Sequence, residues 1–162
     1  MAIDKSEFVR CSELTKENTD DDLEGIQALC AEAERFIASF KWCKSVLRTY
    51  FCFGFRYAGV FFIEIEPLGE ADSEMWVIVG DIPPAYIDTS TPTADEALED
   101  YCWWMHEWIG AVREGKPVDE MMPVLTRETY LEIAPSLELA DMLEGRVRFI
   151  EENLLEEEPE SS

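Results

Sequence analysis

The chain has 162 residues, 47% of them hydrophobic, which is enough for one well-buried core and short for two. Its 36 acidic and 13 basic residues give a net charge of −23, which argues against binding to nucleic-acid backbones or anionic membranes and favours a basic partner. No apolar run approaches the roughly 18 residues of a membrane span, and the first residues lack the pattern of a signal peptide.

The N-terminal part of the chain predicts an arm followed by a helix. Residues 1–19 show no sustained period, so we expect them to form a loosely docked arm on a single domain that spans 1–162. Asp22 and the two aspartates before it provide an N-cap and first-turn charge. Apolar residues then recur at helical spacing, which predicts a helix over 23–43.

Two strands are predicted next, over 46–57 and 60–66. We expect a three-residue connection, 58–60, because a shift of one residue would move Glu64 and Glu66 onto the apolar face. The expected register gives one face to these residues: Phe51, Phe53, Phe55, Tyr57, Phe61, Ile63 and Ile65.

The most buried strand is predicted over 75–79. Every residue there is apolar and several are β-branched, so neither face of the strand is expected to meet water. With the preceding hairpin it would complete an antiparallel meander. Pro83 and Pro84 cannot donate the amide hydrogen bonds of a sheet, so the chain must leave the sheet there.

Thr93 followed by Glu96 has the form of a capping box, and the apolar stripe behind it predicts a helix over 94–113. The stretch 116–135 carries three prolines and weak periodicity, so we expect it to be irregular. A final apolar stripe predicts a helix over 137–155.

The last residues, 156–162, have the composition of a disordered acidic tail. Together these elements predict an α+β fold, in which an antiparallel sheet of three or more strands is packed by about three helices.

Five cysteines occur, and no two of them form a C-x-x-C pair. They lie mostly in apolar patterns, and we interpret all of them as reduced core residues of a cytoplasmic protein. The five are Cys11, Cys30, Cys43, Cys52 and Cys102.

Charge is segregated along the chain. The stretch 57–112 has twelve acidic residues and no Lys or Arg, whereas 35–63 has five basic residues and no acid. This pattern predicts a non-enzymatic binding protein, immunity- or adaptor-like, whose acidic face between Glu64 and Glu107 meets a basic protein partner. The binding residues predicted for it are Asp81, Tyr86, Glu99, Asp100 and Trp103.

Cys102 and His106 lie four residues apart on the predicted helix, with Glu99 one turn earlier. This spacing could hold a metal or let the imidazole activate a thiolate. Two helical residues do not complete a zinc site and the chain has one histidine, so we expect a structural cysteine and neither a metal nor a cofactor. The alternative hypothesis is a small enzyme that uses His106 and Cys102 in a pocket near Asp81.

Trp103, Trp104 and Trp108 cannot all face the sheet, because successive helical residues point about 100° apart. At least one indole is therefore expected to be exposed, where it could anchor a partner. Together with the segregated charges, this predicts a homodimer whose interface includes Trp103. A self-associating structural protein is the corresponding alternative function.

The stretch VGDIPPAYID, at 79–88, is followed by Glu-Ala-Leu at 96–98 and by Tyr101 and Trp108. These positions resemble a family of small bacterial proteins, a domain of unknown function with a GD-[IL]-P-x-A-Y turn. The likeness covers 75–112, and it implies a bacterial cytosolic origin and a single α+β domain but no mechanism. In its acidic, compact build the chain also resembles immunity proteins that neutralise basic toxins, which is a likeness of class and not of motif.

Overall fold

A five-stranded antiparallel sheet organises the computed structural model, which describes residues 3–155. Strands that are consecutive in the chain are neighbours in the sheet, so the sheet is a meander. The strands are β1 (Val9–Arg10), β2 (Cys43–Phe55), β3 (Ala58–Pro67), β4 (Glu74–Gly80) and β5 (Ala85–Ile87). The helical elements are two 3-10 turns (Cys11–Glu13 and Glu17–Thr19), α1 (Leu23–Ala38), α2 (Ala94–Arg113) and α3 (Leu137–Ile150), which continues as a π-helical turn (Glu151–Leu155). The predicted α+β class is confirmed, and the acidic tail predicted for 156–162 lies outside the described residues.

Helices cover both faces of the sheet, which explains why β3 and β4 are almost entirely buried. The face toward α1 presents Phe61, Ile63, Val77 and Val79. The face toward α2 and α3 presents Val60, Phe62, Trp76 and Ile78. Burial of these two apolar surfaces is the main source of stability. Among residues 3–155, no helix has both the length and the apolar character needed to cross a membrane.

Side-chain caps start the three helices where the sequence predicts. Asp22 accepts a hydrogen bond from the Gly25 amide at 3.3 Å, and the Thr93 hydroxyl accepts one from the Glu96 amide at 3.2 Å. Ser136 caps α3 in the same way. Each cap satisfies an amide that the first helical turn leaves without a partner.

The first helix ends at Ala38, earlier than predicted. The Ser39 hydroxyl donates to the Phe36 carbonyl oxygen at 2.6 Å, and the chain then turns so that Cys43 begins β2. Phe40, which continues the apolar spacing of the helix, lies in this turn and not in α1. The prediction of helix up to residue 43 is therefore wrong, because apolar spacing alone does not show where a helix ends.

The β2–β3 hairpin differs from the predicted register. Phe55 opposes Ala58, so the connection has two residues and not the predicted three. A register shift lies between Phe51 and Phe53, as expected for a β-bulge. Phe51 therefore packs toward α1, whereas Phe53 and Phe55 pack toward α2. The prediction of one aromatic face is wrong, because a bulge reverses the alternation of side chains beyond it.

The N-terminal segment is docked on the sheet and does not form the loosely docked arm that the sequence predicts. Val9–Arg10 pairs with β2 as an edge strand. Lys5 donates a hydrogen bond to Glu64 at 2.6 Å, and the Phe8 ring packs edge-on against Trp76 with a centroid distance of 6.0 Å. Because only two residues enter the sheet, the segment shows no strand period in the sequence.

Cys11 and Cys30 form a disulfide that ties the N-terminal segment to α1. The prediction that all five cysteines are reduced is therefore wrong for this pair, while Cys43, Cys52 and Cys102 are free thiols. Disulfides persist mainly in oxidising compartments, so this bond does not support the predicted cytoplasmic location.

Three of the five basic residues in the stretch 35–63 form ion pairs inside the molecule. Basic residues of β2 and of the hairpin turn meet acidic residues that lie beside them in space and far away in sequence. The pairs are Arg48 with Glu64, Lys44 with Glu66 and Arg56 with Asp22. The basic stretch is therefore largely neutralised by intramolecular contacts.

Gly80 and Gly110 form a matched pair of sites for testing the close approach at the end of β4. Gly80 has a φ of +145°, and a Cβ there would overlap the Tyr57 carbonyl oxygen, whereas a Cβ on Gly110 in α2 would meet no atom within 4 Å. We expect Gly80→Ala to lower the free energy of unfolding by about 2–4 kcal/mol. Gly110→Ala should raise it by about 0.5–1 kcal/mol, since alanine favours a helix over glycine. Urea unfolding of both variants measures the difference, and a neutral Gly80→Ala variant would contradict the described contact.

Candidate binding groove

We call three neighbouring surface cavities, each of which shares one lining residue with the next, the acidic groove. The first, of about 570 Å³, lies between α2 and the linking segment (114–136), which connects α2 to α3. The second, of about 250 Å³, lies between the linking segment and α1, and the third, of about 320 Å³, lies beside β5. Met122 lines both the first and the second cavity, and Tyr86 lines both the second and the third. The shared residues therefore place the three cavities side by side.

Aromatic and methionine side chains form much of the groove's walls. Trp103 on α2 is 60% exposed, and Tyr86 on β5 is 43% exposed. Large exposed side chains of this kind mark binding surfaces, and methionines adapt their shape to a partner. The wall residues of this type are Phe36, Phe40, Trp42, Met75, Tyr86, Trp103, Trp104, Met121 and Met122.

Five exposed carboxylates rim the groove, while none of its described lining residues is Lys, Arg or His. Within residues 3–155, none of the five forms an ion pair. A depression lined by charge of one sign concentrates the field and attracts the opposite charge. The five are Glu70, Asp72, Asp88, Glu107 and Glu120.

Three aromatic rings form a rigid cluster beside β5. Phe40 stacks on Trp42 with a centroid distance of 4.8 Å, and each of them meets Tyr86 edge-on at 5.2 Å. The cluster exists because the chain turns between the end of α1 and the start of β2, which places Phe40 and Trp42 beside the edge strand that carries Tyr86. Such contacts hold the rings in defined orientations.

A charged network, which we call the Arg127 network, holds the linking segment against the rest of the fold. Arg127 donates two hydrogen bonds to the Glu32 carboxylate of α1, at 3.1 and 2.9 Å. It also lies 3.6 Å from Asp81 at the end of β4, and Asp81 lies 3.3 Å from Arg146 on α3. Because the Glu32 side chain is only 8% exposed, it would be an uncompensated buried charge without Arg127.

The structure brings together only two of the five predicted binding residues, Tyr86 and Trp103. Asp81 belongs to the Arg127 network and does not line the groove. Asp100 accepts a hydrogen bond from a threonine hydroxyl at 2.8 Å, and Glu99 is exposed on α2 outside the groove's lining. The acidic groove therefore lies beside the predicted residues, and only Tyr86 and Trp103 are common to both sets.

Sequence reasoning missed Trp42, which lines the third cavity, and Met122, which lines the first and the second. Neither residue stands in a periodic pattern: Trp42 lies in the turn before β2, and Met122 lies in the irregular linking segment. Two adjacent methionines in a polar, proline-containing stretch were the available signal, because such residues outside a periodic core pattern are candidates for exposure.

Cys102 and His106 both lie near Glu151, whereas Asp81 lies in the Arg127 network. Cys102 is 2% exposed and packs in the core. Burial, together with the nearby carboxylates of Glu151 and Glu99, raises the pKa of its thiol to about 12. His106 Nε2 lies 3.0 Å from Glu151 Oε2. Asp81 lines a cavity of about 310 Å³ whose lining includes neither Cys102 nor His106. A buried thiol with a raised pKa lacks the activation that a nucleophile requires.

Several of the residues that carry the family resemblance meet in one buried corner. The hydroxyl of the fully buried Tyr101 donates to the Pro83 carbonyl oxygen at 2.6 Å, which fastens the Pro-Pro turn to α2. Ile82, Ala85 and Trp108 belong to the same core. These contacts give the motif a structural role, since its side chains pack and bond with each other.

The state of Cys102 predicts its chemical reactivity. At pH 7.5, a thiol whose pKa is about 12 has on the order of 10³-fold less thiolate than an ordinary thiol, and burial blocks access as well. We expect iodoacetamide to leave Cys102 unmodified in the folded protein and to label it after unfolding, as measured by peptide mass spectrometry. His106→Ala should not change this result. Rapid labelling that depends on His106 would support the enzymatic alternative and contradict this description.

Within residues 3–155, no group of three His, Cys, Asp and Glu side chains is arranged to hold a metal ion. Comparisons with protein-family models, with curated proteins and with solved structures found no match. The resemblance to a bacterial family therefore stays a prediction, and the assignment of a site rests on the geometry of the acidic groove.

Proposed function

We propose that this chain is a binding protein whose acidic groove receives a basic, amphipathic segment of a protein partner. One observation carries the proposal: three neighbouring cavities combine aromatic and methionine walls with five carboxylates, and none of their described lining residues is basic. Apolar side chains of a partner would fill the walls, and its Lys and Arg residues would face the rim.

The two kinds of contact have different roles in this proposal. Exposed aromatic and methionine side chains supply the apolar centre of an interface, and this centre contributes most of the binding free energy. Rim carboxylates contribute less free energy each, because solvent screens them, but they steer a basic partner and exclude acidic ones. The combination resembles helix-in-groove recognition, in which apolar anchors at helical spacing enter a hydrophobic groove.

The enzymatic alternative has less support from the geometry. It requires an accessible, activated Cys102, and the buried thiol with its raised pKa favours a structural role. The predicted homodimer stays a prediction. Pairing of Lys44, Arg48 and Arg56 within the molecule removes much of the basic patch that a charge-driven two-fold interface would use, although Trp103 remains exposed.

A labelled peptide tests the proposal. The probe is an amphipathic peptide of about 18 residues with Leu and Trp on one helical face and Arg on the other, and its counterpart has Glu in place of Arg. We expect fluorescence anisotropy to show binding of the Arg peptide and not of the Glu peptide. Association should slow as salt rises, because the steering field is screened over roughly 10 Å at 0.1 M salt.

Charge reversals inside and outside the groove provide a matched control. Glu107→Lys with Glu120→Lys should weaken binding of the Arg peptide by about tenfold or more. Glu34→Lys with Glu152→Lys changes the net charge equally at two exposed positions outside the groove, and it should have a smaller effect. Equal effects of the two double variants would show attraction to the whole acidic molecule and would contradict a groove.

A further inference from the structure

The third cavity of the acidic groove has a composition of its own. Its aromatic walls are Trp42 and Tyr86, whose rings meet at 5.2 Å with an interplanar angle of 67°. Phe40 stacks on Trp42 but is not part of the cavity's lining, so it supports the indole from outside the cavity. The walls are therefore two rings whose orientation is set by neighbouring side chains before any ligand arrives.

Carboxylates surround the same space. Glu70 and Asp72 come from the loop between β3 and β4, and Asp88 follows β5. One oxygen of Asp88 accepts a hydrogen bond from the Ser90 amide at 2.6 Å, which fixes the side chain. The β3–β4 loop is anchored beside the aromatic wall, because the Leu68 amide donates to the Trp42 carbonyl oxygen at 2.8 Å. Aromatic rings and acids thus have defined positions relative to each other.

The chemistry of this cavity selects a cation that is also flat and partly apolar. Among the described residues, no three His, Cys, Asp or Glu side chains are arranged to hold a metal ion, and the carboxylates of this cavity are included in that finding. An uncharged apolar group would desolvate the carboxylates without compensation. A guanidinium group can stack on an aromatic face and donate two parallel hydrogen bonds to a carboxylate at the same time. An ammonium is a more strongly hydrated point charge and lacks the planar fork.

We propose that the cavity of Trp42, Tyr86, Glu70, Asp72 and Asp88 is the specificity pocket of the groove and receives an arginine side chain of the partner. This inference rests on the proposed function, since it assigns one position of the partner segment. The pocket prefers arginine over lysine, whereas the other carboxylates of the rim accept either residue. The negative charge of the protein alone would not produce this preference.

Nuclear magnetic resonance with small probes tests the pocket separately from the groove. The probes are N-acetyl-arginine amide, the lysine amide and the citrulline amide, which is nearly isosteric with arginine and uncharged. We expect the arginine amide to shift the Trp42 indole NH and the Ala71 and Tyr86 amides, and to bind about tenfold or more tightly than the citrulline amide. The Trp103 indole NH should not shift.

Two conservative variants identify the groups that bind. Asp72→Asn with Asp88→Asn should weaken binding of the arginine amide by about tenfold, because the pocket keeps its shape and loses two charges. Glu34→Gln with Glu152→Gln removes two charges at exposed positions elsewhere and should leave binding nearly unchanged. Equal affinity for arginine and citrulline, equal affinity for arginine and lysine, or equal effects of the two double variants would each overturn the assignment.

The outcomes separate this inference from the proposed function. If the arginine amide fails to bind the pocket while the amphipathic Arg peptide still binds in a manner that depends on Glu107 and Glu120, the pocket assignment is wrong and the groove stands. If the arginine amide binds the pocket while the peptide does not bind, the groove proposal is wrong and the pocket is an isolated guanidinium site.

Discussion

The salt bridge between the buried Glu32 carboxylate and Arg127 is the polar contact that ties the linking segment to α1. Arg127 belongs to a segment with no regular secondary structure beyond one isolated bridge, so few backbone hydrogen bonds hold that segment in place. A buried carboxylate that loses its partner is strongly unfavourable, which keeps the two side chains together. Asp81 and Arg146 extend the contact to the sheet and to α3. Met121 and Met122 lie in the same segment, and we expect their position to depend on this anchor together with the buried Val124.

Local signals in the sequence predicted much of the fold. The caps at Asp22 and Thr93 and the apolar run of β4 could be recognised, because each depends on residues that are close together in the chain. The aromatic face of β2 was wrong, since a bulge depends on how two strands fit and leaves no mark in a pattern of period two. Cys11 and Cys30 were also misjudged, because their contact depends on how a short edge strand docks beside α1.

The site was less predictable than the fold. Tyr86 and Trp103 were identified as binding residues because large aromatic side chains near turns or on a second helical face have few structural explanations. Asp81 looked like part of an acidic surface, but its charge is balanced by two arginines that follow it in the chain by many residues. Trp42 lies in a turn and Met122 in an irregular segment. The two residues line the groove only because the folded chain brings the turn and the segment close together, and no spacing rule predicts that proximity.

The most direct measurement is the affinity of the basic amphipathic peptide for an Arg127→Met variant. This substitution removes a positive charge, so general electrostatic attraction alone would make a basic peptide bind more tightly. If the groove depends on Arg127 for its shape, the variant should bind the peptide more weakly than the wild type although it is more acidic. Arg35→Met, which removes an exposed charge from α1, is the control and should bind equally or more tightly. Tighter binding by a folded Arg127→Met variant would contradict the account.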